Sequence, residues 1–461
     1  MKEAQVNPGG GPVDQRRKRD GEGGSQRQRL LVAITQLVAH EGYERTKIAD
    51  IATAAGVSRP TFYEHFADKQ ECFLVAYGQS AERLSGEVTE AVSTGDPAAA
   101  LESALGAVVR FAERESDAFR FVGHEAMHAG RQAMQRRDEL IAELEETVHQ
   151  TWSRVPDAAL SAIPAGLLLR ATMLLVGIES RRGEDRPTRL LGDLLEWVAC
   201  YRVDPGARRW RHILPDEGLV RATEGLELPP ISPLPLPRGR HQIPQGVVKR
   251  VQRERILYAT AEVVRAKGFA STNVADVVAE AGVTRKAFYA HFPNMRSAFE
   301  ATRGLVFERM MGLSSGIFFT STSDWPERVW ETGYTFSKLL AASPSFAFVG
   351  FVETYATDAS GEQSDNLFLA FVTFLQEGYR YRPEGARLPA IIALAVLCGD
   401  AEAISFYLRH FPPSQLPGFI PLGMFMTLAP FIGTTAAGAL IERKVRELEV
   451  PSENSSAKPQ E

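Results

Sequence analysis

Apolar residues recur three and four positions apart along nearly the whole chain, and no convincing run of alternating apolar and polar residues interrupts them. The segment RQRLLVAITQLVAHEGY shows the rule: Leu30, Ala33, Ile34, Leu37 and Val38 fall on one face of a helix. Gly42 stops that helix, and Thr46 is a suitable N-cap for the next, KIADIATAAG. The pattern predicts an all-α protein. It also repeats: shifted by 226 positions (285 minus 59), residues 29–66 align with 255–292. Identical pairs include Gly42/Gly268, Thr46/Thr272, Asp50/Asp276, Gly56/Gly282, Arg59/Arg285, Phe62/Phe288, Tyr63/Tyr289 and His65/His291. A period this long indicates duplication of a whole unit, since solenoid repeats are far shorter.

The repeated core reads AGVSRPTFYEHF in one copy and AGVTRKAFYAHF in the other. A short helix ends at Ala55, and Gly56 supplies the left-handed backbone of a sharp turn. Val57 plugs the turn from inside, and Ser58 caps a second short helix. Two helices crossed through a tight Gly turn predict a helix-turn-helix, whose second helix enters a DNA major groove. Phe62 and Phe66, four apart, face the core. Arg59, Pro60 and Thr61 occupy the first turn, where base edges are met: Arg59 suits guanine, and the Thr61 methyl suits thymine. Tyr63 and His65 flank it, within reach of phosphate. The second copy offers Thr284, Arg285, Lys286, Ala287, Tyr289 and His291. The candidate DNA contacts also take in Thr46, Lys47 and Thr272, at the start of the preceding helix, and Ser58. Such a pattern occurring twice favours DNA binding over a plain helical hairpin.

Each unit resembles the tetracycline-repressor (TetR) family over some forty to fifty residues, GYERTKIADIATAAGVSRPTFYEHFADKQECF and GFASTNVADVVAEAGVTRKAFYAHFPNMRSAF. The resemblance implies a three-helix DNA-binding domain, followed by a larger helical domain that binds a small effector and carries a dimer interface formed by its last two helices. It also implies a phosphate-contacting Lys at the start of the fourth helix. Lys69 fits that place, whereas the second unit has Met295 and Arg296 there. The candidate interface helices are about 157–182 with 187–203, and 386–411 with 416–447. Fusing two units lets the chain act as its own pseudo-dimer on an operator that is only approximately palindromic, because the two reading helices differ. A homodimer of fused chains, with four heads, is the other arrangement.

The layout that follows is a basic, disordered arm over 1–25, a helix-turn-helix domain over 26–72 and a helical regulatory domain over 73–203. A Pro-rich linker covers 204–247, a second head 248–298, a second regulatory domain 299–449, and a polar tail 450–461. The linker core LPPISPLPLPRGRHQIP reads as a semi-rigid spacer in preference to a polyproline ligand. The basic stretches QRRKRD, PRGRH and KRVQRER precede the heads. Arg238 and Arg240 are candidates for the minor groove, while the first arm reads equally as solubilising charge.

Composition changes the picture little. With 44% hydrophobic residues, 24% charged and a net charge of -5 over 461 residues, the chain is globular and long enough for several cores, and any basic surface must be local. Cys72, Cys200 and Cys398 form no CxxC pair, which fits a cytoplasmic protein without disulfides or thiolate zinc. The uncharged stretch FIPLGMFMTLAPFIGTTAAGALI is long enough for a bilayer, but its prolines and glycines favour a buried helix, so no membrane partner is expected. Aromatic residues number six over 82–202 and twenty-two over 301–448. Apolar ligand pockets are aromatic-lined, so the second unit is the expected sensor of a small apolar effector, with Trp325, Trp330, Tyr334, Phe348, Phe351 and Tyr355 as candidate walls. HEAMH, at 124–128, matches HExxH, but no companion ligand motif accompanies it. It reads as two surface or pocket histidines; no catalysis, metal or other cofactor is expected. The reading is a non-enzymatic transcription regulator, a repressor that binds double-stranded operator DNA. The alternative is a sensor or scaffold in which one or both heads no longer bind DNA.

Overall fold

The computed structural model describes residues 12–182, 187–223, 244–354, 362–382 and 388–449. The first unit runs through α1 (Pro12–Glu41), α2 (Ile48–Ala54), α3 (Arg59–His65), α4 (Lys69–Thr94), α5 (Ala100–Arg114), α6 (Ser116–Gly123), α7 (Arg131–Trp152), α8 (Ala165–Arg182), α9 (Pro187–Ala199) and α10 (Glu217–Thr223). The second runs through α11 (Gln245–Lys267), α12 (Val274–Ala281), α13 (Arg285–His291), α14 (Met295–Thr320), α15 (Trp325–Ala342), α16 (Pro344–Phe351), α17 (Glu362–Phe371), α18 (Ile392–His410), α19 (Ile420–Ile432) and α20 (Thr434–Glu449). Among the described residues one small exception breaks the helical rule: β1 (Leu160–Ser161) pairs antiparallel with β2 (Arg202–Val203). In each unit three helices make a head and a 26-residue helix, α4 or α14, carries it into the regulatory bundle. Apolar spacing explains the packing. Buried Phe73, Tyr77, Leu84 and Val88 form a stripe on α4 against α5 and α7.

The two bundles meet through α8 and α18, with α9 also against α18. Leu167, Leu168, Ala171 and Leu175 on one side and Val396 and Ala403 on the other are buried there. Gly399 permits a close crossing: a Cβ at that position would stand 2.8 Å from Met426 Sδ and 3.6 Å from Ala171 Cβ. Around this apolar seam lie two reciprocal ion pairs. Arg181, at the end of α8, binds the Asp365 carboxylate of α17 through contacts of 2.8–3.0 Å. Arg409, at the end of α18, binds the Asp138 carboxylate of α7 at 2.8 and 2.9 Å. These positions differ by 228 and 227, close to the sequence repeat, so the pairs are mirror copies about a pseudo-twofold axis. Burial alone would raise the Asp138 carboxyl, but Arg170 and Arg409 hold it well below the usual carboxylate range. A third pair has no such mirror. Arg137 grips Glu402 with two bonds of 2.9 and 2.8 Å, both side chains being almost wholly buried. The interface helices are thus paired within one chain.

Two expectations change. α1 reaches back to Pro12, so only residues 1–11 of the expected disordered arm lie outside the described residues. The linker does not begin free at 204. Residues 204–223 bridge the two units: Trp210 N–H donates to Ala162 O of the first at 2.9 Å while its ring lies against Phe425 of the second, where Asp216 N–H also donates to Gly418 O at 2.8 Å and α10 packs on α20. The Pro-rich remainder, 224–243, with Arg238 and Arg240, lies outside the described residues. The long apolar stretch over Pro413–Ile432 is 89% buried among the protein's own helices, which accounts for its composition without a bilayer.

Removing one partner of Arg137–Glu402 leaves a buried charge uncompensated. Glu402→Ala is therefore expected to cost about 3–5 kcal/mol in urea unfolding, and the paired replacement Arg137→Met with Glu402→Leu much less.

Candidate nucleic-acid interface

Each head presents the same surface. Gly56 and Gly282 turn at φ +63° and +60°, and the Ser58 and Thr284 oxygens accept the Thr61 and Ala287 N–H groups to cap α3 and α13. Phe62 and Phe66, like Phe288 and Phe292, are buried under their helices. This leaves Arg59 and Pro60, and Arg285 and Lys286, exposed on the first turn, with Thr61 and Ala287 half-buried. Tyr63 and Tyr289 stand 51% and 56% exposed, an unusual position for such rings and one repeated in both copies. Matched arginines brace the motif from behind: the Arg27 guanidinium lies over Phe66 and that of Arg253 over Phe292, at 5.2 and 5.5 Å from the ring centroids. Arg253 lies within α11, so KRVQRER is a helix face and not a loose arm.

Other expected contacts lie elsewhere. Thr46 and Thr272 are buried, their hydroxyls donating to Gly42 O and Gly268 O. The N-caps of α2 and α12 are instead Lys47 and Asn273, and Lys47 is exposed. Lys69 does not project toward a phosphate. Its ammonium donates to Tyr43 O at 2.7 Å and Thr46 O at 3.1 Å, and sits 3.9 Å from the centre of the Tyr43 ring. Burial lowers its pKa while Glu44 opposes the shift, so the lysine acts as a brace for the loop after α1. His65 is half-buried with a shielded Nε2, and burial followed by Arg253 and Lys249 lowers the pKa of His291. Both rings are poorly placed for phosphate. Arg296 reaches instead to Glu44 of the other head, and Arg131 donates to Arg265 O at 2.8 Å, so the second unit is clasped to the first beside the heads.

Sequence reasoning missed the joint between each head and its bundle. HEAMH does not lie on one helix: α6 ends at Gly123, and Glu125–Met127 is a tight 3-10 turn. Its side chains are buried, not on the surface, with possible ligand atoms within 4.8 Å of one another. Glu125 is turned into the joint, where its Oε2 accepts the Tyr43 N–H at 3.1 Å. Glu353 does the same in the second unit, accepting the Phe269 N–H. Tyr43 and Phe269 are 226 apart and each follows the glycine that ends a head's first helix. Burial pushes both carboxyls up to about 7, against the pull of those N–H groups. For Glu125 the signal was HEAMH, misread; nothing in the sequence marked Glu353.

A cavity of about 170 Å³ opens in the second bundle, walled by Val306, Phe336, Phe351, Phe374, Ile404 and Met424. Of the expected wall residues, Phe351 lines it. Trp325 is buried outside it, with Nε1 donating to Phe374 O at 2.8 Å and its ring against Phe431. Trp330 is also buried away from the cavity. Tyr334 lies under Lys338, and Phe348 takes the Arg131 guanidinium. Tyr355 lies outside the described residues.

This is a tandem helix-turn-helix protein with a helical bundle behind each head. Both heads match the family model described as bacterial regulatory proteins, tetR family, over residues 30–76 and 256–302, so two domains of that family stand in tandem. It is 32% identical over 98 residues to the transcriptional activator FasR of Mycolicibacterium smegmatis, covering 21% of this chain and 45% of FasR, less than half that relative's length. It is 28% identical over 168 residues to the transcriptional regulator AcrR of Shigella flexneri, covering 35% of this chain and 77% of AcrR. A TetR-family regulator structure from Marinobacter aquaeolei VT8 is 22% identical, covers 41% of this chain and 99% of that one, and has a TM-score of 0.33.

Because folding raises the Glu353 pKa from its ordinary value of 4.5 to about 7, the folded state holds the extra proton between those values. That stabilisation is complete below about 4.5 and is lost as pH rises through about 7. Glu353→Gln, which keeps an acceptor for Phe269, is expected to flatten this fall in a pH series of denaturant melts.

Proposed function

We propose that the chain is a ligand-released repressor that works as its own dimer. Its two recognition helices read the unlike half-sites of one pseudo-palindromic operator, and the cavity of the second unit receives the effector. The observation that carries this reading is the reciprocal Arg181–Asp365 and Asp138–Arg409 pairing inside one chain, with an exposed α3 and α13 in the two units so joined. Arg59 and Arg285 reach base edges; Tyr63, Tyr289, Lys47 and Lys286 meet backbone phosphates. Specificity differs between heads because Pro60 and Thr61 stand where the other has Lys286 and Ala287.

Release follows from where the cavity lies. Its wall includes α18, which two residues beyond Asp400 carries Glu402. Glu402 holds Arg137, whose Nε donates to Gly123 O, next to the Glu125–Tyr43 joint of the first head. On the other side the cavity-lining Arg303 donates to Thr354 O, beside the Glu353–Phe269 joint of the second. A ligand that favours a displaced α18 thereby shifts both heads, and with them the spacing of the two reading helices. Relatives named as repressors include AcnR of Corynebacterium glutamicum, 32% identical over 66 residues.

The test is a footprint of the full chain with mass measurement of the complex. One chain is expected per operator, with affinity falling steeply as salt rises. Arg59→Ala and Arg285→Ala are each expected to cost about 1–3 kcal/mol and to relax base preference at one half-site only. Two chains per operator, or loss of both half-site patterns from one substitution, would overturn the self-dimer reading.

A further inference from the structure

The two joints share Glu125 and Glu353, but only the first surrounds its carboxylate with histidines. Shifted by the 228 positions between those glutamates (353 minus 125), the places of His124 and His128 hold Val352 and Ala356. The break in the helix decides how the three side chains meet. On a continuous helix HExxH sets both histidines on one face and turns the glutamate aside. Here α6 ends at Gly123, and the tight turn Glu125–Met127 brings the carboxylate round to both rings. Its Oε1 lies 3.2 Å from His124 Nδ1 and its Oε2 lies 3.7 Å from His128 Nδ1, with the ring centres 4.6 Å apart. One donor atom from each residue falls within 4.8 Å of the other two, and each side chain is at most 3% exposed. A tetrahedral ion holds its donors roughly 3.3 Å apart, so a small rotation of one ring closes the set. An ion needs no open cavity. Its donors surround it at about 2.0–2.1 Å, closer than water can pass between them, and a closed site is a buried one.

We propose that His124, Glu125 and His128 bind a divalent transition-metal ion such as Zn²⁺, and that the ion ties down the joint of the first head while leaving the second untouched. The proposal goes beyond the repressor reading and does not depend on it. Two imidazole nitrogens with one carboxylate oxygen suit Zn²⁺ and its first-row neighbours, whereas Mg²⁺ and Ca²⁺ take oxygen alone. Glu125 Oε2 also accepts the Tyr43 N–H at 3.1 Å, so an ion that fixes this carboxylate fixes the loop after α1 as well. A glutamate so engaged cannot serve as the base of a zinc hydrolase, which separates this site from the HExxH enzymes. Three cations lie close enough to oppose the ion, Arg120, Arg137 and Arg181. Glu402 meets the charge of Arg137 and Asp365 that of Arg181. Arg120 still opposes it, so the site suits reversible occupancy better than a permanent structural ion. The way in is short: between α6 and α7 stand the tight turn and Gly130, at φ +89°, and opening them unwinds neither helix.

The experiment titrates the untagged full chain, freed of metal by dialysis, with Zn²⁺ in competition with a chromophoric chelator. One Zn²⁺ is expected per chain at this site. His124→Gln and His128→Gln should each weaken it by about tenfold or more. Glu125→Gln, which keeps an acceptor for the Tyr43 N–H, should weaken it as well, and His40→Gln, at an exposed histidine outside the cluster, should not. Hydrogen exchange of the wild type then reads the joint: Zn²⁺ should slow exchange at the Tyr43 N–H and leave the Phe269 N–H of the second head unchanged. No bound Zn²⁺, or binding that both histidine variants leave intact, overturns the site. Zn²⁺ that slows exchange at both joints alike, or at neither, overturns the tie to the first head. If a histidine variant does not fold, exchange in the wild type still decides, because Zn²⁺ held elsewhere would not protect the Tyr43 N–H.

Discussion

Two buried ion pairs, Arg181 with Asp365 and Arg409 with Asp138, set the geometry on which the rest of the molecule depends. Each joins the end of one bundle's interface helix to the other bundle, and each arginine has its charge met at a buried carboxylate, Asp138 being held by Arg170 of its own unit as well. Together they orient α8 against α18 about a pseudo-twofold axis. Two identical subunits would have to make every such contact twice. A fused chain is free to make some of them once, and Arg137–Glu402 is one of these: a buried bidentate pair in a single direction only.

That freedom runs through the molecule. The two joints between head and bundle are alike, with Glu125 and Glu353 each holding the N–H that follows a helix-ending glycine. The parts beyond the joints have diverged. Lys69 braces its own head, whereas the equivalent region of the second unit sends Arg296 across to Glu44. The aromatic-rich bundle holds the cavity, and α18 serves as cavity wall and as interface helix at once. A helix with both duties, packed too tightly to deform gradually, is suited to moving between two arrangements.

Much of the recognition surface could be read from the chain because it is local. A turn that needs a left-handed glycine, a hydroxyl cap and two phenylalanines four apart are set by neighbours within a dozen residues, and they appear at Gly56, Ser58, Phe62 and Phe66 as at their copies. The misreadings share one cause. Thr46 and His65 were assigned from residue type near a motif and Lys69 from the family resemblance, but each is claimed by a carbonyl, a ring or a shielded pocket that neither considers. Trp325 and Trp330 were assigned from aromatic density, and the densest apolar side chains went into the core while the cavity took Phe336, Phe374 and Met424.

The chain by itself therefore determined the helical class, the duplication, the positions of both reading helices and their unlike first turns, all of which follow from spacing and short-range backbone preference. Only tertiary packing decided which unit the interface helices mate with, and where Glu125 and Glu353 hold the heads. Those outcomes depend on which distant side chain reaches a buried charge or polar atom first, and no periodicity along the sequence encodes that.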